Sequence, residues 1–119
     1  MTFFDTDAID VQIEAETRAA ISRGWNAAHI QWRRMILELI YETALSNPYF
    51  SQNTFREELK LREDRTGFRT PDNRAVAGVM MTAKRFGWVE PSGQAELSRV
   101  GHKTRILIWH SKLFSKYGN

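Results

Sequence analysis

Thr70-Pro71-Asp72-Asn73-Arg74-Ala75-Val76-Ala77-Gly78-Val79-Met80-Met81-Thr82-Ala83-Lys84-Arg85-Phe86-Gly87-Trp88 is the stretch whose reading decides the fold. Thr70 stands as an N-cap whose hydroxyl accepts from an orphan backbone N–H. Pro71 suits the first helical position, and Asp72 favours the positive end of the helix dipole. Lys84 and Arg85 precede Gly87, which suits the left-handed residue that closes many helices. The signals predict a helix of about four turns. Val76, Val79, Met80, Ala83 and Phe86 fall on one side of it, and Arg74, Gly78, Thr82 and Arg85 line another. One side packs and the other faces a partner. Gly78 has a second reading, as a site of close packing on a neighbouring element.

Upstream, Ala28, Trp32, Met35, Ile36, Leu39, Ile40 and Thr43 recur at three and four residues, which predicts a central core helix over Asn26–Leu45. Ser46-Asn47-Pro48 stops it, and Arg34 and Glu38 are spaced as a helical ion pair. Trp25 and Trp32 could stack on bases, but in so apolar a helix they are read as core. Tyr49-Phe50 forms a very short strand, and Ser51 caps a second helix running to Lys60 or Leu61, with Phe55, Leu59 and Leu61 inward. The polar run Arg62–Arg69 is then a loose connection. Arg65 and Arg69 sit in it just before a helix N-terminus, where backbone N–H groups and cations favour a phosphate.

Downstream, Trp88-Val89-Glu90-Pro91 and Thr104–His110 read as paired strands, with Ser92-Gly93-Gln94 as a turn. Arg105, Leu107 and Trp109 alternate with Ile106, Ile108 and His110, so one face serves the core. Ala95–Lys103 is a long tip carrying Arg99, Gly101, His102 and Lys103. The tail from Ser111 either docks as a last turn or frays. Ala8–Ser22 is a further helix, with Asp5 or Asp7 as cap and Phe3 and Phe4 as anchors. Its narrow apolar stripe either completes the core or forms an arm to a second copy or a protein partner.

A chain of 119 residues accommodates one domain and an appendage. The organisation read here is an acidic N-terminal helix or arm over 1–24 and a domain over 25–119. Hydrophobic and charged fractions of 42% and 26% are those of a globular protein, which excludes disorder as the general state. No apolar run approaches the ~20 residues of a membrane span and the start does not resemble a secretory signal, so the expected location is cytoplasmic, with no membrane partner. Without cysteine there are no disulfides, thiolate nucleophiles or zinc fingers. Charge is graded along the chain. Residues 1–24 carry five acids against two arginines (−3), residues 25–61 balance at four of each, and residues 62–119 carry eleven Lys or Arg against five acids (+6). A basic half of this kind is the electrostatic footprint of a nucleic-acid face.

Helix, short strand, helix, long loop, helix, strand, basic loop, strand is the layout of a winged helix. The expected fold is thus mainly α with a small β-hairpin (α+β): a winged helix-turn-helix with an extra N-terminal helix. The run Thr70–Val89, followed by a basic loop and Arg105-Ile106-Leu107-Ile108-Trp109-His110-Ser111, resembles small winged-helix proteins of bacteriophages and prophages. The resemblance spans residues 48–111. It implies the fold, duplex DNA as partner and, for a phage-encoded chain, the host cytoplasm. The chain departs from that pattern in carrying Glu96 and a spread basic set in its wing.

Roles follow from groove chemistry. Asn73 and Arg74, with Gly78, approach base edges, since Asn can pair with adenine and Arg with guanine. Arg65, Arg69, Lys84, Arg85, Arg99, Lys103 and Arg105 neutralise phosphates. The plainer reading of each cation is a solvated surface charge. His29, His102 and His110 are too widely spaced for a metal site. Glu58-Leu59-Lys60 with Pro71-Asp72 has the residue types of a metal nuclease in the wrong order, and Glu57-Glu58 and Glu63-Asp64 read as a solvated face. No phosphate loop, nucleophile elbow or dinucleotide fingerprint is present. No catalytic residue, cofactor, metal or small-molecule substrate is therefore expected. The expected function is a non-catalytic DNA-binding protein in regulation, recombination or replication. The alternative is a protein-interaction module that binds or inhibits a host or phage protein through the acidic first helix and Trp25, Trp88 and Trp109.

Overall fold

The structure is a computed structural model that describes residues 3–72, 74–99 and 104–117, with side chains from Asp10 onward. Helices and strands follow one another as α1 (Phe3–Ser22), α2 (Ala27–Ser46), β1 (Tyr49–Phe50), α3 (Gln52–Thr66), α4 (Ala75–Arg85), β2 (Val89–Leu97), β3 (Arg105–Ser111) and α5 (Lys112–Tyr117). The first helix starts at Phe3 rather than Ala8, so Asp5 and Asp7 lie within it and are not its caps. The side chains of the anchors Phe3 and Phe4, together with Asn73 and the tip residues Gly101, His102 and Lys103, lie outside what the structure describes.

The apolar repeat after Asn26 folds as a core helix, except that Ala28 is exposed and Met35 half-buried. Asn26 caps α2 by accepting from His29 N at 2.8 Å, and the helix buries Ile30, Trp32, Ile36, Leu37, Leu39, Ile40, Thr43 and Ala44. Each fully buried Ile or Leu removes enough apolar surface to contribute about 1.5–3 kcal/mol, so this helix carries the largest share of the packing. It ends at Asn47, extended as a residue before proline must be. Trp32, Trp88 and Trp109 all lie in the core cluster, with Phe50, Phe55, Met80 and Leu113.

Ser51 does cap α3, in a reciprocal box with Thr54. The helix does not stop at Lys60 or Leu61 but runs to Thr66, and Leu61 is exposed rather than inward. Arg62 Nε donates to Glu58 at 2.9 Å one turn back, which sustains the helix, and Gly67, at φ 80°, ends it. The connection to α4 shortens accordingly.

The largest correction falls on the start of α4. Thr70 is not its cap and Pro71 is not its first residue, because Glu63 on α3 holds both the backbone N–H and the hydroxyl of Thr70. Trp32 Nε1 donates to the same hydroxyl at 3.1 Å. Capping passes to Asp72, whose Oδ1 accepts from Arg74 N (2.8 Å) and Ala75 N (3.1 Å). The helix has three turns rather than four. Gly87 closes it as expected, at φ 84°. The ion pair read between Arg34 and Glu38 is also replaced: Arg34 reaches across to Glu14 of α1 at 2.9 Å.

The strands form one antiparallel sheet in the order β1-β3-β2. Tyr49 faces His110, Phe50 faces Trp109, and Val89 faces Ser111 at the buried end. Ser92-Gly93-Gln94 is not the turn of the hairpin. The register jumps from Pro91↔Trp109 to Gln94↔Ile108, so these residues form a bulge, and pairing continues to Leu97↔Arg105. The tip therefore begins at Ser98, not Ala95. Toward the sheet's base Trp109 and Ser111 are buried, whereas nearer the tip Ile106 and Ile108 are half-covered and Leu107 is exposed. The tail docks: Leu113 is buried, and the N–H groups of Lys112 and Leu113 share Trp88 O. Among the described residues no helix is long and apolar enough to cross a membrane.

Candidate nucleic-acid interface

The inward side of α4 comprises Val76, Val79, Met80, Thr82 and Ala83. Thr82, read from the sequence as facing a partner, is buried: it accepts from Arg33 of α2 at 2.5 Å. That leaves an outward side of Arg74, Ala77, Gly78, Met81, Lys84 and Arg85, all exposed. Cations stand at its two ends and small or flexible apolar side chains between them. Gly78 does not serve packing. A Cβ built there meets nothing within 4 Å, so the glycine opens onto solvent.

The structure divides the remaining sequence-predicted cations. Arg65 lies in the last turn of α3 and pairs with Glu58 at 3.3 Å; Arg69 pairs with Asp64 at 2.7 Å. Both are thus partly neutralised by acids of their own neighbourhood, Glu58 and Asp64, two of the four acids read as a solvated face. Glu63 is taken up by Thr70. Arg85 pairs with Glu16 of α1 at 2.5 Å while keeping 61% of its side chain exposed. Among the described residues Arg74, Lys84, Arg99 and Arg105 form no ion pair with a carboxylate at close range. Arg74 and Lys84 share the α4 face with Arg85; Arg99 and Arg105 flank the hairpin tip. Asn73 and Lys103 lie outside the described residues.

Glu96 has a role that sequence reasoning missed. Its carboxylate accepts from Ser51 Oγ and from Asn53 Nδ2 (2.8 Å), while Asn53 also donates to Leu97 O and accepts from Arg99 N. The far part of the hairpin is thereby fastened to the first turn of α3, a favourable place for a carboxylate. The Ser51 hydroxyl, then the Asn53 amide, hold the Glu96 carboxyl below its ordinary value, against the opposing effect of partial burial. Glu58 is likewise held down, chiefly by its hydrogen bond from Arg62. A capping serine followed by an amide two residues on was visible in the sequence; the carboxylate 45 residues away that they hold was not.

A second polar group sits at the sheet's other end. His110 Nδ1 meets Glu90 at 2.8 Å, Ser115 Oγ lies 3.4 Å from His110 Nε2, and Tyr49 packs against the imidazole. Ser115 Oγ also donates to Ser111 O, as helical serines do. Among the described residues no group of three or more His, Asp or Glu is placed to hold a metal ion.

Trp88 and Trp109 are 2% and 4% exposed, which removes them from the surface that the protein-binding alternative required. Trp25 is half-buried, stacked on His29 with Arg33 against its ring. No family model matches the chain, and no curated protein or solved structure matches it significantly.

Proposed function

We propose that the chain is a winged helix-turn-helix protein of phage type that binds duplex DNA without catalysis, in regulation, recombination or replication. The observation that carries this reading is topological. From α2 onward the order is helix, strand, helix, helix, strand, strand, with the sheet ordered β1-β3-β2. This arrangement leaves α4 with an exposed side bounded by Arg74, Lys84 and Arg85 and follows it with a hairpin flanked by Arg99 and Arg105. The centre of the α4 side offers Ala77, Gly78 and Met81, which can approach a thymine methyl or a sugar but present no hydrogen-bonding group. Sequence reading on this proposal belongs to Arg74 and the turn before it, and the remaining cations neutralise phosphates.

Fluorescence anisotropy with a labelled duplex, titrated across salt, tests this. Arg74→Ala with Lys84→Ala should weaken binding and flatten the salt slope by about 0.9 for each phosphate that is no longer neutralised. No binding at low salt, or an unchanged slope in the double variant, sinks the reading.

A second reading, a protein-interaction module on the same scaffold, draws on the exposed apolar side chains Met81, Leu97 and Leu107. A protein partner retained after nuclease treatment, and lost in Met81→Glu, would favour it over DNA.

A further inference from the structure

We infer that α1 is a built-in competitor for the basic face of α4, its Glu16 carboxylate occupying the place that a DNA phosphate takes at Arg85. The inference rests on the DNA-binding reading proposed for this face. Glu16 lies between two guanidiniums, Arg33 of α2 at 3.2 Å and Arg85 of α4 at 2.5 Å. The Glu16 and Arg33 side chains are only 14% and 13% exposed, but Arg85 is 61% exposed, so its outer side is open to a second anion. A carboxylate and a phosphate make the same charge-assisted hydrogen bonds to guanidinium. The duplex must therefore either share Arg85 with Glu16 or displace it.

Displacement is favoured by how α1 is held. Of residues 10–22, only Ile13 and Ala20 are buried among its apolar side chains, while Val11 and Ile21 are exposed. Its remaining ties to the end of α4 and the residues that join α4 to β2 are polar: Glu16 to Arg85, and Gln12, which accepts from Trp88 Nε1 at 3.1 Å and donates to Phe86 O. An element with little apolar burial belongs to the low-stability end of a fold and can open without the rest. Charge points the same way. Residues 1–24, which carry the competitor, are −3 and residues 62–119, which carry Arg85, are +6, and a highly charged polyanion offers many phosphates where α1 offers one carboxylate at Arg85. DNA binding would thus be coupled to release of α1. Removing the Glu16 charge would strengthen binding by the free energy that release now consumes.

The test uses the full chain and a fluorescein-labelled duplex of mixed sequence. Glu16→Gln, which keeps the side-chain size and a hydrogen-bonding group, should bind about five- to tenfold more tightly at low salt, with an unchanged salt slope because Arg85 meets a phosphate in both complexes. Glu14→Gln, which loosens α1 from Arg34 of α2 but leaves Glu16 on Arg85, should bring a smaller gain than Glu16→Gln. In an Arg85→Ala background Glu16→Gln should bring no gain. On the unaltered chain, saturating duplex should raise amide hydrogen exchange in residues 10–22, a readout that holds even where Glu16→Gln folds poorly. Wild-type binding without a gain in Glu16→Gln, a gain that survives in Arg85→Ala, or unchanged exchange in α1 each overturns the competitor while leaving DNA binding standing. No duplex binding by either protein overturns both.

Discussion

α1 and α2 are helices of the same length, twenty residues each, held in place by different physics. α2 buries eight side chains across its span. α1, over residues 10–22, buries Ile13 and Ala20 and otherwise depends on Gln12, Glu14 and Glu16 reaching polar partners on α2, α4 and the residues that join α4 to β2. Helix length therefore says little about attachment. Dispersion and apolar burial are insensitive to competing ions, whereas exposed ion pairs are weakened by them and by salt. The contrast separates a part of the molecule held by apolar packing from a part held largely by polar contacts.

The contrast is sharpest in the core. Ile36→Ala, at a fully buried position, should lower global stability by about 2–5 kcal/mol in urea unfolding. Ile13→Ala should cost less, because opening α1 alone caps the loss; hydrogen exchange should rise in α1 while α2 stays protected. Equal global costs for the two variants would erase the distinction. Next in size comes Ser111→Ala. Its buried hydroxyl donates to Ala44 O at 2.6 Å and accepts from Phe114 N at 2.9 Å, so removal strands two backbone groups and should cost about 1–3 kcal/mol by thermal melting. A negligible cost would show that α2's end is held by packing alone.

The hairpin clamp lies between the two extremes and reports through pH. Because the Glu96 carboxyl is held below its ordinary value in the folded chain, its contribution is present above the unfolded value near 4.5 and is lost as pH falls through the lower folded one. Glu96→Gln should therefore flatten the acid limb of the stability profile and leave the neutral region with only the loss of one charged acceptor. An unchanged acid limb would show that other carboxylates set the acid response. Smallest is Gly78→Ala. With open space where its Cβ would lie, the substitution should stabilise α4 by about 1 kcal/mol, seen as a raised urea midpoint. Destabilisation would mean that the glycine is needed inside the fold.

Features encoded within one turn of chain were legible in the sequence. The periodicity of α2, the Ser51 cap, Gly87 at the end of α4 and the β-rich run Arg105–His110 each depend on neighbours three or four residues away. What was not legible depended on distant competitors. Thr70 has every local qualification of an N-cap, but Glu63 takes its N–H and hydroxyl, and Asp72 inherits the helix. Ser92-Gly93-Gln94 has the composition of a turn, yet the apolar partners Ile106 and Ile108 continue the ladder past it. For the candidate site, the cations on α4 could be read as a set, but the pairing of Arg85 could not. Glu16 is 69 residues from Arg85, and no spacing rule joins them.

β3 is the middle strand of the sheet and the last in the sequence. During synthesis β1 and β2 emerge first, yet each pairs only with β3, so neither has a partner until Arg105–Ser111 has left the ribosome. The helices can collapse early, whereas the sheet, the burial of Trp109 and the seating of α5 must wait for β3. A nascent chain halted before Arg105 would carry two unpaired strand edges, the form in which this protein is most exposed to misassociation and proteolysis.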